Sequence, residues 1–220
     1  MPTPPAYIAT VLANGQSTRW GDSAPKSLAP WNGTPLIEHV LQRLTMQSVV
    51  PTQVWINSSA AWANEKYSHW PLLTDPVHLQ HQGPLCGMLA ALQKAPDKLH
   101  LFVPTDTPML PLELAERLIA ALTPDSIASV ACVSNQDYHH SCPQIQPCCC
   151  LIRGAAVDRL IQYLETGQRS VLGWLKQIEA LQVEFVHAPW SNFVNLNEPD
   201  QLLSLPVHPP AHFPDFQRDP

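Results

Sequence analysis

The sequence predicts an α/β protein of three layers, a mostly parallel sheet covered by helices on both faces. Three observations carry this expectation. Short apolar runs alternate with helical patterns along the chain, the order that yields parallel strands joined by helical crossovers. The composition, 45% hydrophobic and 14% charged over 220 residues, is that of a globular domain with a full core. Finally, conspicuous polar residues follow the strand-like runs: Asn14 and Gly15, Asn57, Asp75 and Asp106.

Taken in order, YIATVLA (Tyr7 to Ala13) reads as a buried strand. PLIEHVLQRL reads as a helix with Pro35 in its first turn. In it Leu36, Ile37, Val40, Leu41 and Leu44 recur at helical spacing. TQVWIN, ending at Asn57, is a second strand, and PLLTD, ending at Asp75, a short third. A helix starts near Pro84 in GPLCGMLAALQKA, and the strand LHLFVPTD stops at Asp106. PLELAERLIAAL is a helix with acids in its first turn. SIASVACV and CCCLIR are strands, AVDRLIQYLETG is a helix ending at Gly167, and a last strand, ALQVEFVHA, precedes NFVNLNEPDQLL. In parallel sheets of this kind ligands bind beyond the carboxyl ends of the strands, so the four polar strand ends define one rim.

No repeat or linker divides the chain. One domain is expected over 1–205, with the proline-rich tail 206–220 loosely ordered. No apolar run is long enough for a bilayer, and MPTPPAYIAT lacks the basic and apolar regions of an export signal. A cytoplasmic protein with six reduced cysteines is therefore expected. Cys148, Cys149 and Cys150 are consecutive, so on a strand they alternate between faces and cannot converge on one metal. The cysteines read as small buried apolar residues. The ten histidines are scattered and carry no assigned role. A net charge of −6 argues against a nucleic-acid-coating surface, and leaves room for a small anionic ligand held by a few local cations.

Those cations gather early. VLANGQSTRWGDSAPKSL (Val11 to Leu28) breaks from a strand into a turn with Gly15 and Gly21, then adds Arg19 and Lys26. Backbone N–H groups in such a turn can form an anion site, glycine lets backbone approach a phosphate, and arginine and lysine supply donors. The chemistry is that of a phosphate cradle, although the spacing is neither that of a P-loop nor of the dinucleotide fingerprint.

The wider pattern resembles the nucleotidyltransferases that activate phosphorylated small molecules, and most of all the molybdenum cofactor guanylyltransferases. The opening loop with its later NGTPL segment, GPLCGMLAAL, FVPTDTPMLP and FVNLNEPDQL follow that family's order over roughly Ala6 to Leu203. There are departures. Asn14 stands where the family's first loop glycine is usual, Trp20 replaces a methionine, and Pro25 stands where an aspartate is common. Asparagine tolerates the left-handed region better than most residues.

The resemblance implies a Rossmann-like sheet of the nucleotidyltransferase type. It implies transfer of a GMP moiety from GTP to the phosphate of molybdopterin with release of pyrophosphate, and a Mg2+ cofactor. Asp106 matches the metal-binding aspartate, and Lys26 and Arg19 would hold the triphosphate. Leu12, Ala13, Asn14 and Gly15 would pass beside base and ribose, and Asn57 and Asp75 match further nucleotide contacts. Gly83, Pro84, Asn195 and Asn197 would serve the acceptor side, with Gln146 and Pro147 in an acceptor-side loop. Molybdenum-insertion proteins or molybdoenzymes would take the product. Three other readings stand beside this one: a cytidylyltransferase on the same cofactor, a sugar-1-phosphate nucleotidyltransferase suggested by PKSL, and a non-catalytic nucleotide-binding protein.

Overall fold

The computed structural model describes residues 5–14, 25–80, 82–134, 143–185 and 193. Strand β1 (Tyr7–Leu12) is buried at every position. After it come a small hairpin, β2 (Pro30–Trp31) and β3 (Thr34–Pro35), and helix α1 (Leu36–Thr45). Then follow β4 (Gln53–Asn57), α2 (Ala61–Lys66), β5 (Leu72–Leu73), α3 (Pro84–Lys94), β6 (Leu99–Pro104) and α4 (Leu114–Ala121). The remainder comprises β7 (Ala128–Val133), β8 (Gln144–Arg153), α5 (Val157–Glu165), α6 (Val171–Gln177) and β9 (Leu181–Glu184).

Seven strands form one sheet in the order β5-β4-β1-β6-β8-β7-β9. Every neighbouring pair is parallel except the two that involve β8, which runs antiparallel to both β6 and β7. The sheet is thus mostly parallel, as the alternation predicts. β1 pairs with β4 on one flank, Val11 opposite Ile56, and with β6 on the other, Val11 opposite Val103. The chain leaves β1 towards β4 and β5 and returns to β6, so the topological switch point lies between β1 and β6.

Alternation along the strands separates the two core layers. Tyr7, Ala9 and Val11 of β1 pack with Ile37, Val40, Leu41 and Leu44 of α1 and Leu114 and Leu118 of α4. Ile8 and Leu12 face the opposite side with Leu85, Met88 and Leu92 of α3, Leu160 of α5 and Trp174 of α6. Period-two side chains on both faces of a buried sheet give this division directly. The consecutive cysteines follow the same rule: Cys149 belongs to the first layer and Cys150 to the second. The five described cysteines are free thiols, four of them buried and Cys148 half-buried.

Some boundaries differ from the sequence reading. Pro35 lies outside α1, at its cap and in β3, because its backbone (φ −54°, ψ 143°) is extended. Gln146 and Pro147 are strand residues of β8 rather than loop residues. The β7–β8 ladder shifts register between Val130 and Cys132, which leaves room for a proline inside a strand. α5 stops at Glu165, two residues before Gly167. The hairpin, α2 and α6 are elements the periodicity does not reveal. The hairpin has a local signature in Asn32-Gly33, both at positive φ. α6 has one in Ser170, whose hydroxyl accepts from the Gly173 N–H. The tail 206–220 lies outside the described residues.

Candidate active site at the switch point

Asn57 is the last residue of β4, and Asp75 follows β5 by two residues. Both are almost wholly buried, 2% and 4% exposed. Asn57 Nδ2 donates to Asp75 Oδ1 at 2.9 Å and, more weakly, to the Leu73 carbonyl at 3.4 Å. Asn14, two residues past β1, donates from Nδ2 to Asp75 Oδ2 at 2.7 Å. The Ala13 N–H donates to the Asn57 carbonyl at 2.9 Å, which prolongs the β1–β4 pairing up to the site. Three strand ends therefore converge on one carboxylate.

Gly87 of α3 makes this arrangement possible. A Cβ at that position would lie 2.1 Å from Asn57 Oδ1, so only glycine lets the helix pack against the amide. At the start of α3, Gly83 caps the helix with φ +101°, a conformation that favours glycine, and Pro84 occupies the first helical position.

The second group sits across the switch point. Lys26 opens a single 3-10 turn after Pro25, and its Nζ lies 2.8 Å from Asp106 Oδ2, a contact that spans 80 residues of sequence. The two side chains are 17% and 21% exposed, so the pair is accessible from the rim. Thr107 Oγ1 approaches Asp106 Oδ1 at 3.5 Å, and the hydroxyls of the neighbouring residues Ser27 and Thr105 meet at 3.5 Å. β8 passes close by: burial, with the Asp106 charge adding to it, pushes the Cys148 thiol up to about 12. A thiol held that high stays protonated and is a poor nucleophile or metal ligand.

The sequence therefore locates Leu12, Ala13, Asn14, Lys26, Asn57, Asp75, Asp106, Gly83 and Pro84 along the carboxyl ends of β1, β4, β5 and β6 and the start of α3. The polar side chains divide into an Asn14–Asp75–Asn57 group and a Lys26–Asp106 group. Gly15, Arg19, Asn195 and Asn197 lie outside the described residues. Phe193 stacks edge-on against Phe185 at 5.2 Å just before those two asparagines. One contributor escapes the sequence reading. Ser59 donates from both its backbone N (3.1 Å) and its hydroxyl (2.9 Å) to Asn14 Oδ1. Its only signal is the Asn-Ser-Ser run after a strand end, which is also ordinary turn chemistry.

Among the described residues no group of three or more His, Cys, Asp or Glu side chains is arranged to hold a metal. Asp106 offers a single, partly exposed carboxylate. That donor set suits a hard cation such as Mg2+, which keeps several waters and takes one or two protein carboxylates together with substrate phosphates.

A rim of amide, carboxylate and ammonium groups at the switch point of a mostly parallel sheet stands where α/β proteins of this class bind their ligands. Residues 9–180 match the model of the MobA-like NTP transferase domain, and the chain belongs to that family. It is 35% identical over 191 residues to the molybdenum cofactor guanylyltransferase of Pasteurella multocida, covering 87% of this chain and 94% of that one. It is 33% identical over 193 residues to the enzyme of the same name from Cupriavidus metallidurans, covering 87% and 90%. Among solved structures, molybdopterin-guanine dinucleotide biosynthesis protein A from Archaeoglobus fulgidus superposes with a TM-score of 0.64 at 22% identity, over 90% of this chain and 95% of that one. A 4-diphosphocytidyl-2C-methyl-D-erythritol synthase superposes at 0.63 and 13% identity, over 91% and 96%. These structural likenesses show the fold. No helix among the described residues is long and apolar enough to cross a membrane.

Proposed function

We propose that the chain is a molybdenum cofactor guanylyltransferase: it transfers the GMP moiety of GTP to the phosphate of molybdopterin and releases pyrophosphate. The observation that carries this reading is the Lys26–Asp106 pair, 2.8 Å apart at the switch point, within a chain 35% identical to a relative of that name.

An oxygen of the acceptor phosphate attacks the α-phosphorus of GTP, and pyrophosphate departs in line. The protein's work is alignment and neutralisation of growing negative charge. Lys26 Nζ exchanges its bond to Asp106 Oδ2 for bonds to phosphate oxygens, which frees the carboxylate. Asp106 is the residue that would hold Mg2+, which when bound would supply positive charge to neutralise the phosphates. Arg19 adds a second cation along the triphosphate, and the backbone of Leu12, Ala13, Asn14 and Gly15 borders the base and ribose. Asn57 and Asp75 form the nucleoside end. The start of α3, Gly83 and Pro84, favours an anion and would serve the acceptor side, the role the family resemblance also gives Asn195 and Asn197.

The test mixes purified full-length protein with Mg2+, molybdopterin and each nucleoside triphosphate in turn and measures pyrophosphate. Release with GTP supports the proposal. Release only with CTP, or only when sugar 1-phosphates replace molybdopterin, overturns it, and release with none leaves a binding protein.

A further inference from the structure

Asp75 presents a problem of satisfaction. The residue is buried, with only 4% of its surface exposed. Among the described residues it has no cation partner: the ion pairs there are Lys26–Asp106 and Lys98–Asp97. A carboxylate offers about four lone-pair positions, and two neutral amides fill two of them. A buried carboxylate so sparingly partnered calls for further donors.

The two amides arrive on different oxygens, Asn14 on Oδ2 and Asn57 on Oδ1. Each oxygen therefore keeps acceptor capacity, and the two oxygens of a carboxylate are close neighbours. The orientation of Asn14 is fixed at its other end. Its Oδ1 accepts from the Ser59 N–H, and a backbone N–H can only donate, so the atom facing Asp75 must be the NH2 group. Nor is asparagine called for at position 14 by a left-handed backbone: the non-glycine residues with positive φ among those described are Asn32 and Glu179. What the residue contributes here is its side chain.

We infer that Asn14 is a positioning residue, which holds Asp75 as a two-point acceptor for a base edge that presents two neighbouring N–H donors, as guanine does with N1–H and N2–H2. Adenine, cytosine and uracil each offer one donor position on that edge, and hypoxanthine offers N1–H alone. The inference rests on the functional reading above and adds to it the residue that orients base selection.

Calorimetric titration of the full chain with GTP, ITP and 2′-deoxy-GTP tests it without requiring turnover. Wild-type protein binds GTP more tightly than ITP. Asn14→Ala weakens GTP binding by about tenfold, the scale of one lost hydrogen bond to a charged group, and weakens ITP less, so the ratio shrinks. Ser59→Ala, at an exposed position, shifts the ratio the same way by a smaller factor and covers the case in which Asn14→Ala unfolds. In turnover assays the loss appears in KM. Equal losses for GTP and ITP overturn the inference, as does a change confined to the GTP to 2′-deoxy-GTP ratio, which would place Asp75 on the ribose. Absence of pyrophosphate release alongside an Asn14-dependent preference for GTP would sink the reaction and spare this inference.

Discussion

The two halves of the sheet share a core and differ at their edges. β5, β4, β1 and β6 are all parallel, and beyond their carboxyl ends lie the hydrogen-bonded group Asn14, Asp75 and Asn57 and the pair of Asp106 with Lys26. The half formed by β8, β7 and β9 is interrupted by the antiparallel β8 and is lined with Cys132, Cys149, Cys150 and aliphatic residues. Burial raises the Cys132 thiol and lifts Cys149 and Cys150 well above their ordinary value. Parallel neighbours bring the ends of several strands to one edge, whereas an antiparallel strand sends its own carboxyl end to the other. Chemistry therefore collects where the strands agree in direction, and the thiols act as packing.

The largest effect expected from breaking this contrast is at the rim. Asp106→Asn should lower pyrophosphate release by about 10²–10³-fold, the range for loss of one electrostatic contact to developing charge, with the unfolding midpoint little changed. Next comes Gly87→Ala. Its new methyl would meet Asn57 Oδ1 at 2.1 Å, so urea unfolding should show a loss of about 1–3 kcal/mol together with weaker nucleotide binding.

A subtler effect distinguishes the two ends of β6. His100 lies at its start, fully buried, with Nε2 bonded to the Ala95 carbonyl and its ring stacked on Phe102. Burial pushes its pKa below the ordinary 6.5, against smaller opposing effects of the Ala95 carbonyl and Asp97. The unfolded chain thus binds a proton more readily than the native one. The His100 contribution to stability is intact above about pH 6.5 and declines as pH falls below it. His100→Phe should lose less stability than wild type between pH 7 and pH 5 in urea titrations, while activity at pH 7 reports the opposite end of the strand. The smallest effect is expected at the thiols. Maleimide labelling resolved by mass spectrometry should leave Cys149 and Cys150 unmodified in the native protein under conditions that label them once it is unfolded.

The sheet was legible because its signals are local. Leu36, Ile37, Val40, Leu41 and Leu44 repeat at helical spacing, and the apolar runs of β1, β4 and β6 stand between polar boundaries. The hairpin, α2 and α6 are not legible in this way, since two strand residues, or six or seven helical ones, hold too few apolar positions to establish a period. The antiparallel direction of β8 is also absent from local pattern, because a strand buried on both faces reads alike either way. At the site, the residue types at strand ends were visible, and their pairing was not. That Asn14 meets Asp75 across 61 residues, with Ser59 fixing its amide, is a fact of strand order.

The central claim is that GTP lies across the ends of β1, β4, β5 and β6. A crystal structure of the full chain with GTP and Mg2+ tests it directly. The claim predicts phosphates between Lys26 Nζ and the Asp106 carboxylate, with guanine against Asp75 and Asn57. A nucleotide bound over β8, β7 and β9, with the Lys26–Asp106 pair still closed, would contradict it.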